Sequence, residues 1–184
     1  MNITIDKDIR KADQRIAYAT RRLKQANSSD IITIVVIFNN GGFTPAIERL
    51  VDAIDKTKAF QVHLVFSGYA VSSAAYLFAY YVFYNKKRTN ITVHVKRSLS
   101  LVYHKPRTPV PSSNTGEVIF ANTLPPPYPT GYQLLINTTT RFDNVFDSMM
   151  KHFRASNSQI AHNLEDVYNY NGDIQIMFDA GKYR

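Results

Sequence analysis

Eight consecutive residues, Ile31 to Phe38 (IITIVVIF), are all apolar or β-branched, with no polar alternation. A strand with one wet face alternates, so a run like this reads as a strand buried on both faces, at the centre of a mainly parallel sheet with helices covering each side. Parallel neighbours must be joined by crossovers of a dozen or more residues, usually helices, and the flanking sequence supplies them. At 184 residues the chain is long enough for one sizeable core, and it has no cysteine that could staple it or bind a metal as thiolate.

Residues 3–5 suggest a short strand, and from Lys7 to Ala26 the spacing of Ile9, Ala12, Ile16, Ala19 and Leu23 predicts an amphipathic helix. After the central strand, Asn39-Asn40-Gly41-Gly42 is a break, and Thr44-Pro45 opens a helix carrying Ile47, Leu50, Val51 and Ile54. Gln61 to Phe66 is the next strand, Ser67-Gly68 a turn, and Ser72 to Tyr84 a helix apolar all round. Ile91–Val95 and Leu99–Tyr103 read as two short strands, which completes an α/β pattern. Seven of the eight prolines then fall between Pro106 and Pro129, so that stretch is a loop or semi-rigid arm. A helical stripe returns over Gly131–Phe153, weakened by Thr138-Thr139-Thr140, and Ser158–Arg184 holds a short helix, a turn at Asn171-Gly172 and the apolar IQIMF.

Composition excludes several classes. A 45% hydrophobic, 20% charged chain is globular. The N-terminus lacks the pattern of a secretory signal, and the apolar run Ala70–Tyr84 is shorter than the ~20 residues a membrane-spanning helix needs. A soluble, cytoplasmic protein is expected. The net charge of +8 is uneven, with no acidic residue between Asp55 and Glu117. That basic stretch suits an acidic partner or simply a solvated face; a nucleic-acid role rests on charge alone, because no recognition motif accompanies it.

In open parallel sheets, ligands gather beyond the carboxyl ends of the strands. Two such ends stand out. Gly41-Gly42 lets the backbone approach a ligand and offer N–H groups. Ser72-Ser73 opens a buried helix, where a hydroxyl is either an N-cap or a nucleophile in the positive field of the helix terminus. His104 follows the strand Leu101-Val102-Tyr103 and is placed to accept a proton at neutral pH. His63 and His94 lie inside strands, and Asp173 is the natural late aspartate to orient His104. No phosphate loop, dinucleotide fingerprint or H-E-x-x-H motif is present, so no metal or cofactor is expected.

In order, IVVIFNNGG with its helix, VFSGYAVSSAAYLFA, and LVYHKP resemble the ClpP-like serine protease family of the ClpP/crotonase fold, over about Ile9 to Pro106. The resemblance implies a single domain over 1–184, with the proline-rich arm at 107–130 inserted before a handle-like helix at 131–153. By position, Ser72 resembles the nucleophile and His104 the general base; Gly41 and Ser73 would form the oxyanion hole, and Gly42 and Phe43 would pair with an extended substrate. Asp173 would complete the triad, with Asp166 as competitor, and Asn40 stands where the family has proline. The resemblance further implies a serine endopeptidase acting on peptides or unfolded protein, assembled as a homo-oligomeric ring and served by an ATP-dependent unfoldase. Two alternatives remain: a non-catalytic ClpP-like scaffold subunit, and an acyl-CoA enzyme of the same superfold.

Overall fold

The computed structural model describes residues 1–110, 116–127 and 129–184. Parts of the proline-rich arm, residues 111–115 and 128, lie outside the described residues. The chain divides into two compact units, Met1–Tyr103 with Gln175–Arg184, and His104–Ile174.

The first unit is built on a five-stranded sheet in the order β1 (Asn2–Asp6), β2 (Ile31–Asn39), β3 (Gln61–Val71), β4 (Ile91–Tyr103) and β7 (Ile174–Lys182). The first four strands are parallel. The fifth runs the other way: Gln175 bonds Ser100 while Tyr183 and Arg184 bond Val93, so the partners on β4 descend as β7 advances. Register stacks the apolar residues in rows, Ile3-Ile34-Leu64-Val93 and Ile5-Val36-Phe66-Val95, and every member is buried.

Helices α1 (Gln14–Gln25), α2 (Thr44–Lys56) and α3 (Ser73–Ala79) make the crossovers. Because strands joined in sequence sit side by side, right-handed crossovers place all three helices on one face, over those rows. The opposite face, with Val35, Ile37, His63, Val65 and His94, is half-buried. Helices on both sides of β2 were expected; sequential strand order is the reason this unit has them on one.

Several boundaries move for local reasons. The first helix starts at Gln14 rather than Lys7, because Asp13 caps it by accepting from the Arg15 and Ile16 amides. Ile9 meanwhile leaves the helical stripe to form a parallel bridge with Gly42. The turn expected at Ser67-Gly68 is a bulge inside β3: Gly68 has φ +81, and a Cβ there would lie 2.3 Å from the Phe38 ring. The two strands expected over 91–103 are one 13-residue strand, with Lys96, Arg97 and Ser98 exposed at its middle. The apolar helix ends in a π turn, Tyr80–Tyr84. Asp55 accepts from both the Tyr80 and Tyr81 hydroxyls at 2.9 Å and from Asn85 at 3.0 Å, which ties that turn to α2. Burial and the neighbouring carboxylate push the Tyr80 hydroxyl up to about 12.

In the second unit, β5 (Arg107–Pro109) and β6 (Val118–Phe120) form a small antiparallel pair within the arm. α4 (Gln133–Ser156) then packs on α5 (Ser158–Asn169). The threonine run is continuous helix because Thr138 and Thr139 are buried, so packing overrides propensity. The Phe146 and Tyr168 rings stack at 3.8 Å, and the Tyr168 hydroxyl donates to Asp143 at 2.8 Å. Among the described residues, no helix is long and apolar enough to cross a membrane.

Asp13 is the capping residue most open to test. Burial acts to raise its carboxyl, but the Arg15 side chain and the backbone amides outweigh this and hold it below 3.8. Asp13→Ala should cost about 1–2 kcal/mol in denaturant unfolding. Because the folded pKa is depressed, the carboxylate's contribution is present at neutral pH and fades as pH falls below about 4. Asp13→Asn should therefore flatten that acid limb.

Candidate active site

The parallel strands all end at one edge, and the structure sets the glycine loop against the serine there. Asn39 pairs with Ala70 and Val71 with Val102, so the ends of β2, β3 and β4 are level. Ser72 follows Val71, its amide donating to the Val102 carbonyl at 2.9 Å, and His104 is the second residue beyond Val102.

Ser72 has φ +57 and ψ −120, a conformation that costs a side-chain-bearing residue about 1–3 kcal/mol and persists only where its surroundings enforce it. They do so here through the Val102 bond and through the Ser72 carbonyl, which accepts the first helical bond from Tyr76 at 2.8 Å. The side chain makes no capping bond, although serine is a preferred cap. Ser72 is thus a half-buried residue at a strained strand–helix turn whose side chain does not cap the helix.

The glycine loop is bound to this turn. A Cβ on Gly41 would lie 2.2 Å from the Val71 carbonyl oxygen, 2.8 Å from the Ser72 Cβ and 3.0 Å from the Ser73 nitrogen. Buried Asn39 closes the loop by accepting from the Gly41 amide at 2.8 Å and donating to the Ile5 carbonyl at 3.3 Å. Asn40 donates to Asp8 at 3.0 Å. Ile9 secures the other edge, donating to the Gly41 carbonyl at 2.7 Å and accepting from the Phe43 amide at 2.8 Å.

These bonds decide which backbone groups remain available. The Gly41 amide expected at an oxyanion hole is held by Asn39, and the Phe43 amide expected on a substrate is held by Ile9. The Gly42 amide and the Ser73 amide, which opens α3, have no hydrogen-bond partner among the described residues.

His104 belongs to the second unit. Its Nδ1 lies 2.8 Å from the carbonyl of Lys105. A carbonyl only accepts, so Nδ1 carries the proton and Nε2 is left as the basic lone pair. Burial, with the Arg107 charge adding to it, lowers the imidazole pKa below 6.5, against opposing contributions from the Lys105 carbonyl and Asp173. The ring is therefore neutral at pH 7.

Lys105 itself is buried, donating to the Tyr168 carbonyl at the end of α5 at 3.2 Å with its ammonium 4.2 Å from the Tyr168 ring centre. Neither aspartate is a hydrogen-bond partner of the imidazole among the described residues, although the Asp173 charge acts on it. Asp173 pairs with Arg107 at 3.5 Å, and Asp166 lies 3.6 Å from His162 on an exposed stretch of α5. Tautomer control, expected from Asp173, falls to a backbone carbonyl.

Two residues in this machinery carried little signal. Asn39 is an Asn-x-Gly Asx turn, legible as turn chemistry but not as the clamp on Gly41. Lys105 looked like one more cation of the basic stretch. That stretch is partly structural: Arg88 donates to the Asp55 and Thr57 carbonyls, and Arg107 is paired. His63 bonds Thr92 at 2.7 Å and lies 6.2 Å from the His94 ring, with burial and the neighbouring positive charges lowering its pKa.

Two substitutions separate strain from packing. Ser72→Gly should raise stability by about 1 kcal/mol in denaturant unfolding, because glycine adopts a positive φ without penalty. Gly41→Ala should lower it by more than about 2 kcal/mol, since the obstructing atoms are backbone. No family model matches the chain, and no curated protein matches it.

Proposed function

We propose that the chain is a serine-type peptidase that cleaves extended peptides through an acyl-enzyme on Ser72. The observation that carries this is the Ser72 backbone at φ +57, held against the glycine loop with its hydroxyl unused as a cap. In this reading the Ser72 oxygen attacks the peptide carbonyl while His104 Nε2 takes its proton. The tetrahedral oxyanion forms against the amides of Ser73 and Gly42, donors that can each contribute about 3–4 kcal/mol. His104 returns the proton to the leaving amine as the C–N bond breaks, and water repeats the sequence to release the acid.

The ClpP-like resemblance adds a homo-oligomeric ring, an unfolded-protein substrate and an ATP-dependent unfoldase to this proposal. The sheet, mainly parallel with its helical crossovers, is compatible with that fold.

A scaffold subunit without activity is the second reading. It is favoured by the Gly41 and Phe43 amides being engaged and by Asp173 resting on Arg107. Assembly or partner binding that is indifferent to Ser72→Ala, with no peptide hydrolysis by the assembled protein, would favour it.

If the Lys105 carbonyl fixes the tautomer, Asp173→Asn should reduce kcat by about tenfold or less, against the ~10⁴ typical where an aspartate alone does that work. The acid limb of kcat/KM should lie below pH 6.5, because the base stays neutral until its lowered pKa is reached. Arg107→Gln should move that limb upward by removing a nearby positive charge. A limb unmoved in Arg107→Gln, or an Asp173→Asn loss near 10⁴, would contradict this account of His104.

A further inference from the structure

In the first unit, away from the strand ends, a cleft of about 660 Å³ runs along the outer side of α1 as far as Arg49 of α2. That volume lies within the ~300–1,000 Å³ of small-molecule sites. The sequence makes the cleft by placing short side chains, Ala12 and Ala17, between long ones, with buried Ile16 beneath. Its rim is cationic: Lys11, Arg21, Lys24 and Arg49 all line it. None of these four has a carboxylate partner among the described residues. The one acid in the wall, Asp13, is engaged by Arg15 at 2.5 Å.

An apolar floor and a rim of four cations without carboxylate partners, Arg21 lying over the Tyr18 ring at 5.5 Å, describe a ligand with an organic body and clustered negative charge. We propose that this cleft binds an organic diphosphate of nucleotide size. Its phosphates would lie on Arg21, Lys24 and Arg49, and its body over Ala12 and Ala17. Guanidinium groups suit this role because their planar fork matches phosphate oxygens in pairs. The site is independent of Ser72 and His104.

Calorimetric titration of the full chain with ADP, pyrophosphate and a glutamate-rich peptide tests the proposal. ADP should bind more tightly than pyrophosphate, and binding should weaken as salt rises. Arg21→Gln and Arg49→Gln should each weaken ADP about tenfold. Melting curves would show each variant folded, and Ser72→Ala should bind ADP as the parent does. Absence of ADP binding, affinity unchanged in the Arg21→Gln/Arg49→Gln double variant, equal affinity for pyrophosphate, or tighter binding of the peptide would each overturn it.

Discussion

Residue 41 has no room for a side chain. A single carbon there would meet the Val71 oxygen at 2.2 Å and the first two residues of the serine turn within 3.0 Å. This backbone-to-backbone contact between the ends of β2 and β3 fixes the relation of the glycine loop to Ser72. The Asn39 side chain then bends the loop, and Ile9 closes its outer edge. Three segments far apart in sequence thus over-determine one turn, which is the condition for keeping a serine at φ +57.

The same restraints narrow the chemistry. A loop held by its own hydrogen bonds is preorganised, and preorganised amides stabilise developing charge without reorganising during the reaction. Holding the loop also uses up the Gly41 and Phe43 amides, leaving Gly42 and Ser73 for a ligand. Within the second unit, Lys105 has two roles: its carbonyl orients the imidazole, and its ammonium fastens the segment to the end of α5. A cation at a helix C-terminus is stabilised by the helix dipole, which suits a lysine as that fastening.

Much of this was legible from residue patterns. The run Ile31–Phe38 is an interior parallel strand, as its composition suggests, although only one of its faces is fully buried, and Ser72 lies at the helix tip where the Ser-Gly-to-helix transition put it. The failures have physical causes. Ile9 has helical spacing from Ile16, yet a bridge to Gly42 claims it, and spacing cannot register a partner more than thirty residues away. Gly68 reads as a turn because only its neighbours in space, the Phe38 ring and β4, make it a bulge within a strand. A role for Lys105 needs the α4–α5 hairpin to exist first, so no local pattern announces it. That Ser72 does not cap its helix follows from two backbone angles that composition does not encode.

The central claim, that the strained hydroxyl of Ser72 is a nucleophile, is tested most directly by covalent capture. The folded chain would be treated with a fluorophosphonate and the adduct located by peptide mass spectrometry. The account predicts one modified residue, Ser72, with labelling lost in His104→Gln while the fold is retained. Folded protein that takes up no label, or label carried by a different serine, would contradict it.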